Sequence, residues 1–324
     1  MSTVEKVLVT GAGGFIAGHL ISQIHQRWGT AHIVALDRKP TNLWSQLHPY
    51  CSIVIEDLTS QSNRQIVEDF DVVFHLAADA GGMPFISTNN YNCMKDIAST
   101  QLIIDSALAG TIGKIVFTSS ACVYPESRQG DSPTPLQELS ALPAEPDSGY
   151  GWAKLYCERM GNYAKFESGI KFRSARLFNV YGTMCSTGEP REKAPAAIAR
   201  KILHSQHLGL NSTTLLGTGK EVRSFLHVSD CTEGLLRLAE DSSNISAINF
   251  ASLDCITVNE LAEMIALICN YKGTFQFNSR HTGVSTRIPC IKLAKKALNW
   301  SPSKPLNDGL NELVSYIRST IRNT

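Results

Sequence analysis

Lys6-Val-Leu-Val-Thr10 is a short apolar run. It passes through Gly11-Ala-Gly-Gly14 into Phe15-Ile-Ala-Gly-His-Leu-Ile-Ser-Gln-Ile-His25, whose apolar residues recur at helical spacing. A glycine-rich turn joining a buried strand to a helix lets backbone approach a pyrophosphate, which then lies on the helix N-terminus. Gly11 and Gly14 have the spacing for that turn, and Ala17 stands where a small residue lets helix and strand pack closely. A second strand, Ala31–Leu36, ends at Asp37, an acid suited to the ribose hydroxyls of NAD. Arg38 and Lys39 follow it and could instead greet the 2′-phosphate of NADP. Residues 51–57 and 71–78 read as strands three and four. Asp57 is placed either to reach the adenine edge or to cap the segment after it.

Composition narrows the rest. The chain has 324 residues, 43% hydrophobic and 18% charged, enough for a substantial core. A formal net charge of +1 gives no bulk attraction to nucleic acid or to an anionic membrane. No apolar run is long enough to span a bilayer, and the opening MSTVEKVLVTGAGG lacks the profile of a signal peptide. Nine cysteines lack metal-ligand or paired spacing, so neither a metal site nor a disulfide scaffold is expected, and a reducing, cytoplasmic setting fits them.

Further chemistry is suggested at mid-chain. Tyr150 and Lys154 lie four apart and share one face of a helix that starts after PAEPDS. A lysine ammonium beside a phenol favours the phenolate, so the tyrosine can act as a base below its free value of about 10. Some 30 residues earlier the strand around Lys114–Thr118 ends in Ser119 and Ser120, followed by Cys122. Ser120 is placed to hydrogen-bond a substrate hydroxyl while Tyr150 removes its proton.

The stretches TGAGGFIAGHL, LAADAGGMPFI, SSACVYPE, PAEPDSGYGWAK, REKAPAA, RSFLHVSD and GVSTR extend from residue 10 to residue 287. In these the chain resembles the extended short-chain dehydrogenases/reductases that act on nucleotide sugars, most closely the GDP-mannose 3,5-epimerases. The resemblance implies a doubly wound parallel α/β sheet of Rossmann type with a smaller, discontinuous α/β substrate domain. Residues 1–178 and 222–249 would bind NAD, and residues 179–221 and 250–324 the nucleotide sugar. By position, Gly11, Gly14, Phe15, Ile16, Asp37, Asp57, Leu76, Tyr150 and Lys154 would contact NAD. Gly81, Ser120, Ala121, Cys122, Asn179, Glu192, Lys193, Ala194, Lys201, Arg223, Ser224 and Arg287 would contact the sugar nucleotide. Ser120, Cys122, Tyr150, Lys154 and Lys193 would be catalytic, and the protein a homodimer.

The residues support part of this independently. Lys201, Arg223 and Arg287 are cations suited to a diphosphate. Relatives that dehydrate the sugar at C4 and C6 carry two acids after the strand-end hydroxyl; here Ala121 and Cys122 stand there. Oxidation at C4 makes the C3 and C5 hydrogens acidic, and inverting either carbon needs proton-transfer groups on two faces. Cys122 supplies one and Lys193 the other. The expected function is therefore epimerisation of a GDP-hexose such as GDP-mannose at C3 and/or C5, with no net redox change. The alternatives are a nucleotide-sugar 4-epimerase, a 4,6-dehydratase, and a non-catalytic NAD-binding regulator, against which the intact Tyr150–Lys154 pair argues. The other eight cysteines and His75 read as packing residues. The chain departs from the family pattern at Pro84, which stiffens the GGMPFI loop, at Asp96, where asparagine is usual, and at Val284–Arg287.

Overall fold

The computed structural model describes residues 4–60, 65–130, 133–278 and 283–322. β1 (Lys6–Thr10) turns at Gly11 into α1 (Phe15–Arg27), and β2 (His32–Asp37) and β3 (Cys51–Ile55) follow. After β4 (Phe70–His75) come two short helices, α2 (Met83–Ile86) and α3 (Asn90–Lys95), and then α4 (Ile97–Leu108). β5 (Ile112–Ser120) runs into a single 3-10 turn, Ala121–Val123; α5 (Gly149–Ser168) then leads to β6 (Phe172–Leu177). The chain now leaves the sheet for β7 (Val180–Tyr181), α6 (Ala194–His207), β8 (Ser212–Leu215), β9 (Val222–Ser224) and β10 (Leu226–His227). It returns through α7 (Val228–Glu240) to β11 (Ala247–Phe250). β12 (Cys255–Thr257), α8 (Val258–Cys269), β13 (Thr274–Phe277), α9 (Lys292–Leu298) and α10 (Leu306–Arg322) complete the described chain.

Seven strands form one parallel sheet in the order β11-β6-β5-β4-β1-β2-β3. The order reverses between β4 and β1, the switch point where sheets of this kind open a crevice at their carboxyl edge. Strands buried on both faces need apolar residues without alternation, which is how β1 and β5 read. Val7 and Val9 pack with Leu20, Ile21 and Leu235 on one face. Leu8 packs with Ile103, Phe117 and Phe172 on the other. A separate core joins Ile202 of α6, Ile265 of α8 and Leu310 of α10. A fully buried side chain of this kind contributes about 1.5–3 kcal/mol, against about 0–1 kcal/mol for an exposed ion pair, so these cores carry the stability. No helix among the described residues is long and apolar enough to cross a membrane.

A buried polar network fixes α5, which carries Tyr150 and Lys154, against the sheet. Arg176 of β6 donates from Nε to Glu158 Oε1 at 2.9 Å and from Nη2 to Oε2 at 2.6 Å. The same guanidinium reaches Tyr124 Oη at 3.1 Å, and that hydroxyl donates to Asn249 of β11 at 2.6 Å. The first turn of α5 is capped by Ser148, whose hydroxyl accepts from Gly151 N at 3.3 Å. Gly151 has to be glycine, because a Cβ there would overlap the Cys122 carbonyl. That close approach seats Tyr150 against the end of β5.

His75 ends β4, with Nδ1 2.7 Å from Thr10 Oγ1 and Nε2 3.0 Å from Thr100 Oγ1. Complete burial, helped by the Lys154 charge, lowers its pKa from 6.5 to about 3. The folded form thus excludes a proton that the unfolded chain accepts below 6.5, and stability falls as pH drops through that value. Denaturant titrations at about pH 7 and about pH 5 should differ by about 2 kcal/mol, and His75→Gln should flatten that difference.

Candidate active site

The carboxyl edge of the sheet opens into a cavity of about 810 Å³. Gly11, Gly14, Phe15, Ile16, Asp37, Asp57 and Leu76 line one end, and Gly81, Ser120, Tyr150, Lys154 and Lys193 the other. Gly11 adopts φ +68°, and a Cβ on it would come within 2.8 Å of Ala77 N. The turn is tied to the acid after β2: Asp37 Oδ2 accepts from Gly13 N and Oδ1 from Lys39 N, both at 2.9 Å. Lys39 itself donates to Gly13 O at 2.9 Å, so it braces the turn. α1 has no acidic residue in its first turn and no side chain capping it, which leaves its amides open to a pyrophosphate. These residues fit NAD. Asp57 lines the cavity, and its Oδ1 accepts from Thr59 N at 2.9 Å.

At the other end Tyr150 and Ser120 line the cavity together, and Ser120 Oγ accepts from Cys122 N at 3.1 Å. Lys154 is buried, with Nζ 4.7 Å from the Phe117 ring centre and 5.8 Å from that of Tyr150. Burial raises the Tyr150 phenol above its ordinary value, and the neighbouring Cys122 adds to this. In the protein alone the phenol is therefore not lowered as its spacing from Lys154 implied. Burial also lowers Lys154. Lys193 lines the cavity and is exposed to it, with the protein around that cavity shielding it from bulk water. That enclosure lowers its ammonium, opposed by the nearby Cys122, Cys231 and Cys185. A lysine shifted this way is suited to proton exchange.

The remaining expected residues scatter more. Ala121 and Cys122 are buried just behind Ser120, where Cys122 packs with Phe85, Ile86 and Cys93. Asn179 takes a positive φ of 37° and donates to Ser224 O at 2.9 Å. The Ser224 hydroxyl is buried with no hydrogen-bond partner among the described residues. Glu192 is paired with Arg200, so it serves the protein, and Ala194 opens α6. Lys201 lies apart, on an open depression of about 480 Å³ with Glu189 and His204, and donates to Thr214 O at 3.4 Å. Arg223 donates to the Val222 and Ser285 carbonyls at 2.8 and 3.2 Å. Arg287 is buried and points Nη1 at Cys122 Sγ, 3.7 Å away.

Three residues that sequence reasoning passed over also shape the site. Gln129 accepts from Arg287 Nε at 2.6 Å. Arg191 clamps the Gly81 loop to the Lys193 segment: it donates to Ala80 O at 2.9 Å and Asp79 Oδ1 at 2.6 Å, and lies 3.8 Å from the Phe85 ring centre. Asp79 itself sends its amide to the Asp96 carboxylate. Only Arg191 had a local cue, its place in REKAPAA. Pro84 proves compatible with its loop, because it falls in the first turn of α2, where a missing N–H costs nothing.

Replacing Asp37 by Ala removes both the ribose acceptor and the anchor of the glycine turn. Purified Asp37→Ala protein should retain less NAD through gel filtration than wild type, as read by absorbance of the released cofactor; equal retention would contradict this role.

Over residues 7–250 the chain matches the sequence pattern of the NAD dependent epimerase/dehydratase family. It is 32% identical to the GDP-mannose 3,5-epimerase of Arabidopsis thaliana over 320 residues, covering 98% of this chain and 83% of the relative. It is 29% identical to an uncharacterized UDP-glucose epimerase of Bacillus subtilis, covering 97% and 98%. Among solved structures, the UDP-glucuronic acid 4-epimerase of Bacillus cereus, in complex with UDP-glucuronic acid and NAD, superposes with a TM-score of 0.84. It shares 25% identity, with 97% of this chain and 99% of that one covered. The UDP-glucose 4-epimerase of Thermotoga maritima has a TM-score of 0.85 at 23% identity, with 98% and 99% covered. A parallel sheet with its glycine turn at the switch point, a Ser-Tyr-Lys set at the same crevice and these likenesses agree: the chain belongs to the NAD dependent epimerase/dehydratase family, and its cofactor is NAD.

Proposed function

We propose that the protein epimerises a GDP-hexose, GDP-mannose in the first instance, at C3 and/or C5 through a transient 4-keto sugar. The observation that carries this reading is that Cys122, directly after Ser120, lies near enough to the cavity-lining Lys193 for their charges to interact, with no acid in the place of Ala121 or Cys122. NAD, when bound, supplies the hydride acceptor at C4, a positive charge, and the hydride that restores the alcohol. Tyr150 takes the proton of the C4 hydroxyl while Ser120 holds that oxygen. Cys122 and Lys193 then exchange protons with the acidified carbons from opposite faces. Arg223 offers a cation to the diphosphate. On this reading residues 1–178 and 222–249 serve NAD, and 179–221 and 250–324 serve the sugar nucleotide. Proton NMR of the sugar after incubation with GDP-mannose tests the reading; turnover of UDP-glucose or UDP-glucuronic acid with GDP-mannose untouched would replace it. That second reading, a UDP-sugar 4-epimerase, draws on the likeness to the Bacillus cereus enzyme.

We also propose a cytoplasmic homodimer. Trp152, Tyr156, Tyr163 and Phe166 recur at helical spacing along α5 and remain 45–87% exposed, a stripe of the kind that a second copy covers. Light scattering should report a dimer for wild type and a monomer for the double variant Tyr156→Glu, Phe166→Glu; a monomeric wild type would refute the assembly.

A further inference from the structure

Arg191 ties the Lys193 segment to the loop after β4, 111 residues away in sequence. Its Nη1 donates to Ala80 O at 2.9 Å and its Nη2 to Asp79 Oδ1 at 2.6 Å, with the guanidinium 3.8 Å from the centre of the Phe85 ring. The two backbones meet as well, since Gly82 N donates to Arg191 O at 3.1 Å. A Cβ on Gly82 would overlap the Glu192 carbonyl oxygen, so this approach needs glycine although φ there is an ordinary −70°. Asp79 is fixed in turn. Its amide donates to the Asp96 carboxylate, its carbonyl accepts from Cys93 Sγ at 3.2 Å, and its Oδ1 also lies 3.8 Å from Arg38 Nη2.

Lys193 stands two residues on, and the residue between is anchored too. Glu192 N donates to Gly188 O at 3.2 Å, and its carboxylate accepts from Arg200 Nε at 2.9 Å. Lys193 is then the N-cap of α6, with extended backbone (φ −96°, ψ 163°) and a carbonyl that accepts from Ala197 N at 2.9 Å. Among the described residues no hydrogen bond or ion pair holds the Lys193 ammonium itself. Its place in the cavity is therefore set by the backbone that carries it. Stability does not account for the Arg191 clamp. That side chain is 44% exposed, and such an ion pair contributes about 0–1 kcal/mol, less than one buried apolar side chain.

We infer that Arg191 is a positioning residue: anchored on Asp79, Ala80 and Phe85, it sets where the Lys193 ammonium stands in the cavity and so the rate of the proton transfer that Lys193 performs. This rests on the reading of Lys193 as a proton-transfer group. Oxidation at C4 uses Ser120, Tyr150 and NAD, and the Arg191 fork bonds to neither of those side chains. Its removal should therefore fall on the later step. Misplacing a reacting group by about 1 Å costs about 10²-fold in rate.

A double-mutant cycle on the NAD-loaded enzyme tests this. Saturating GDP-mannose is incubated in deuterated water, and Lys193→Ala identifies the carbon whose deuterium depends on Lys193. Arg191→Ala should cut incorporation at that carbon about 10²-fold while the transient NADH absorbance persists. In the Lys193→Ala background it should change nothing further, because the group it places is gone; a merely structural role would subtract again. Arg191→Lys, which keeps the cation and one donor, should recover part of the incorporation. Gly82→Ala wedges the same contact open from the facing loop and should reproduce the selective loss, which keeps the test available if Arg191→Ala does not retain NAD. Three results overturn the inference: incorporation unchanged in Arg191→Ala, NADH formation falling in step with it, or a further fall in the Lys193→Ala background. Loss of NAD from both Arg191→Ala and Gly82→Ala makes the clamp structural and overturns it too. In each of these cases Lys193→Ala alone still reports on Lys193, so the epimerase reading stands. A wild type that incorporates no deuterium, or a Lys193→Ala variant that incorporates it as wild type does, removes that reading and this inference with it.

Discussion

Tyr150→Phe should abolish the transient rise in NADH absorbance on mixing with nucleotide sugar, and with it every later step. The phenol lines the cavity beside Ser120 and is the group proposed to take the C4 hydroxyl proton. Loss of a positioned general base costs about 10²–10⁴-fold in rate. Folding should survive, since the ring and its packing remain. NAD should still be retained through gel filtration, which separates a chemical defect from a loss of cofactor. Unchanged NADH formation in the variant would remove Tyr150 from the mechanism.

Cys122→Ala should behave in the opposite way. Ser120, Tyr150 and Lys154 are untouched, so oxidation at C4, seen as NADH absorbance, should continue. Epimerisation should fall by a comparable factor of about 10²–10⁴. The small apolar cluster of Phe85, Ile86, Cys93 and Cys122 loses one sulfur, which costs about 1 kcal/mol or less of stability. A large loss of stability with normal epimerisation would make Cys122 a packing residue. Lys193→Ala should also oxidise C4 and fail to invert, with some additional weakening of substrate binding through the lost cation.

The parts of the site legible in the sequence are those set by local spacing. The Gly11 turn, Asp37 after β2 and the four-residue interval from Tyr150 to Lys154 depend on residues close in the chain, and each lines the cavity as its pattern implied. Strand four was read over residues 71–78, but the ladder stops at His75, because Leu76 and Ala77 are drawn to Thr10 and the glycine turn. Contacts across the discontinuous chain had no such signature. Arg287 reaches Cys122 over 165 residues and Gln129 over 158, and neither interval carries a periodicity. For the same reason the cations could be named as cations but not assigned: Lys201 faces a different depression, and Arg287 faces the thiol. The tyrosine's titration is likewise not set by spacing alone. Burial, which no interval encodes, raises the phenol in the protein alone.

The central claim is that protons are exchanged at carbons flanking C4. It is tested most directly by turning over GDP-mannose in deuterated water and locating deuterium in the recovered sugar by NMR and mass spectrometry. The account predicts deuterium at C3, C5 or both with wild type, and its loss at the carbon served by the replaced group in Cys122→Ala and Lys193→Ala. Turnover with no deuterium at either carbon in wild type would contradict it and leave a 4-epimerase in its place.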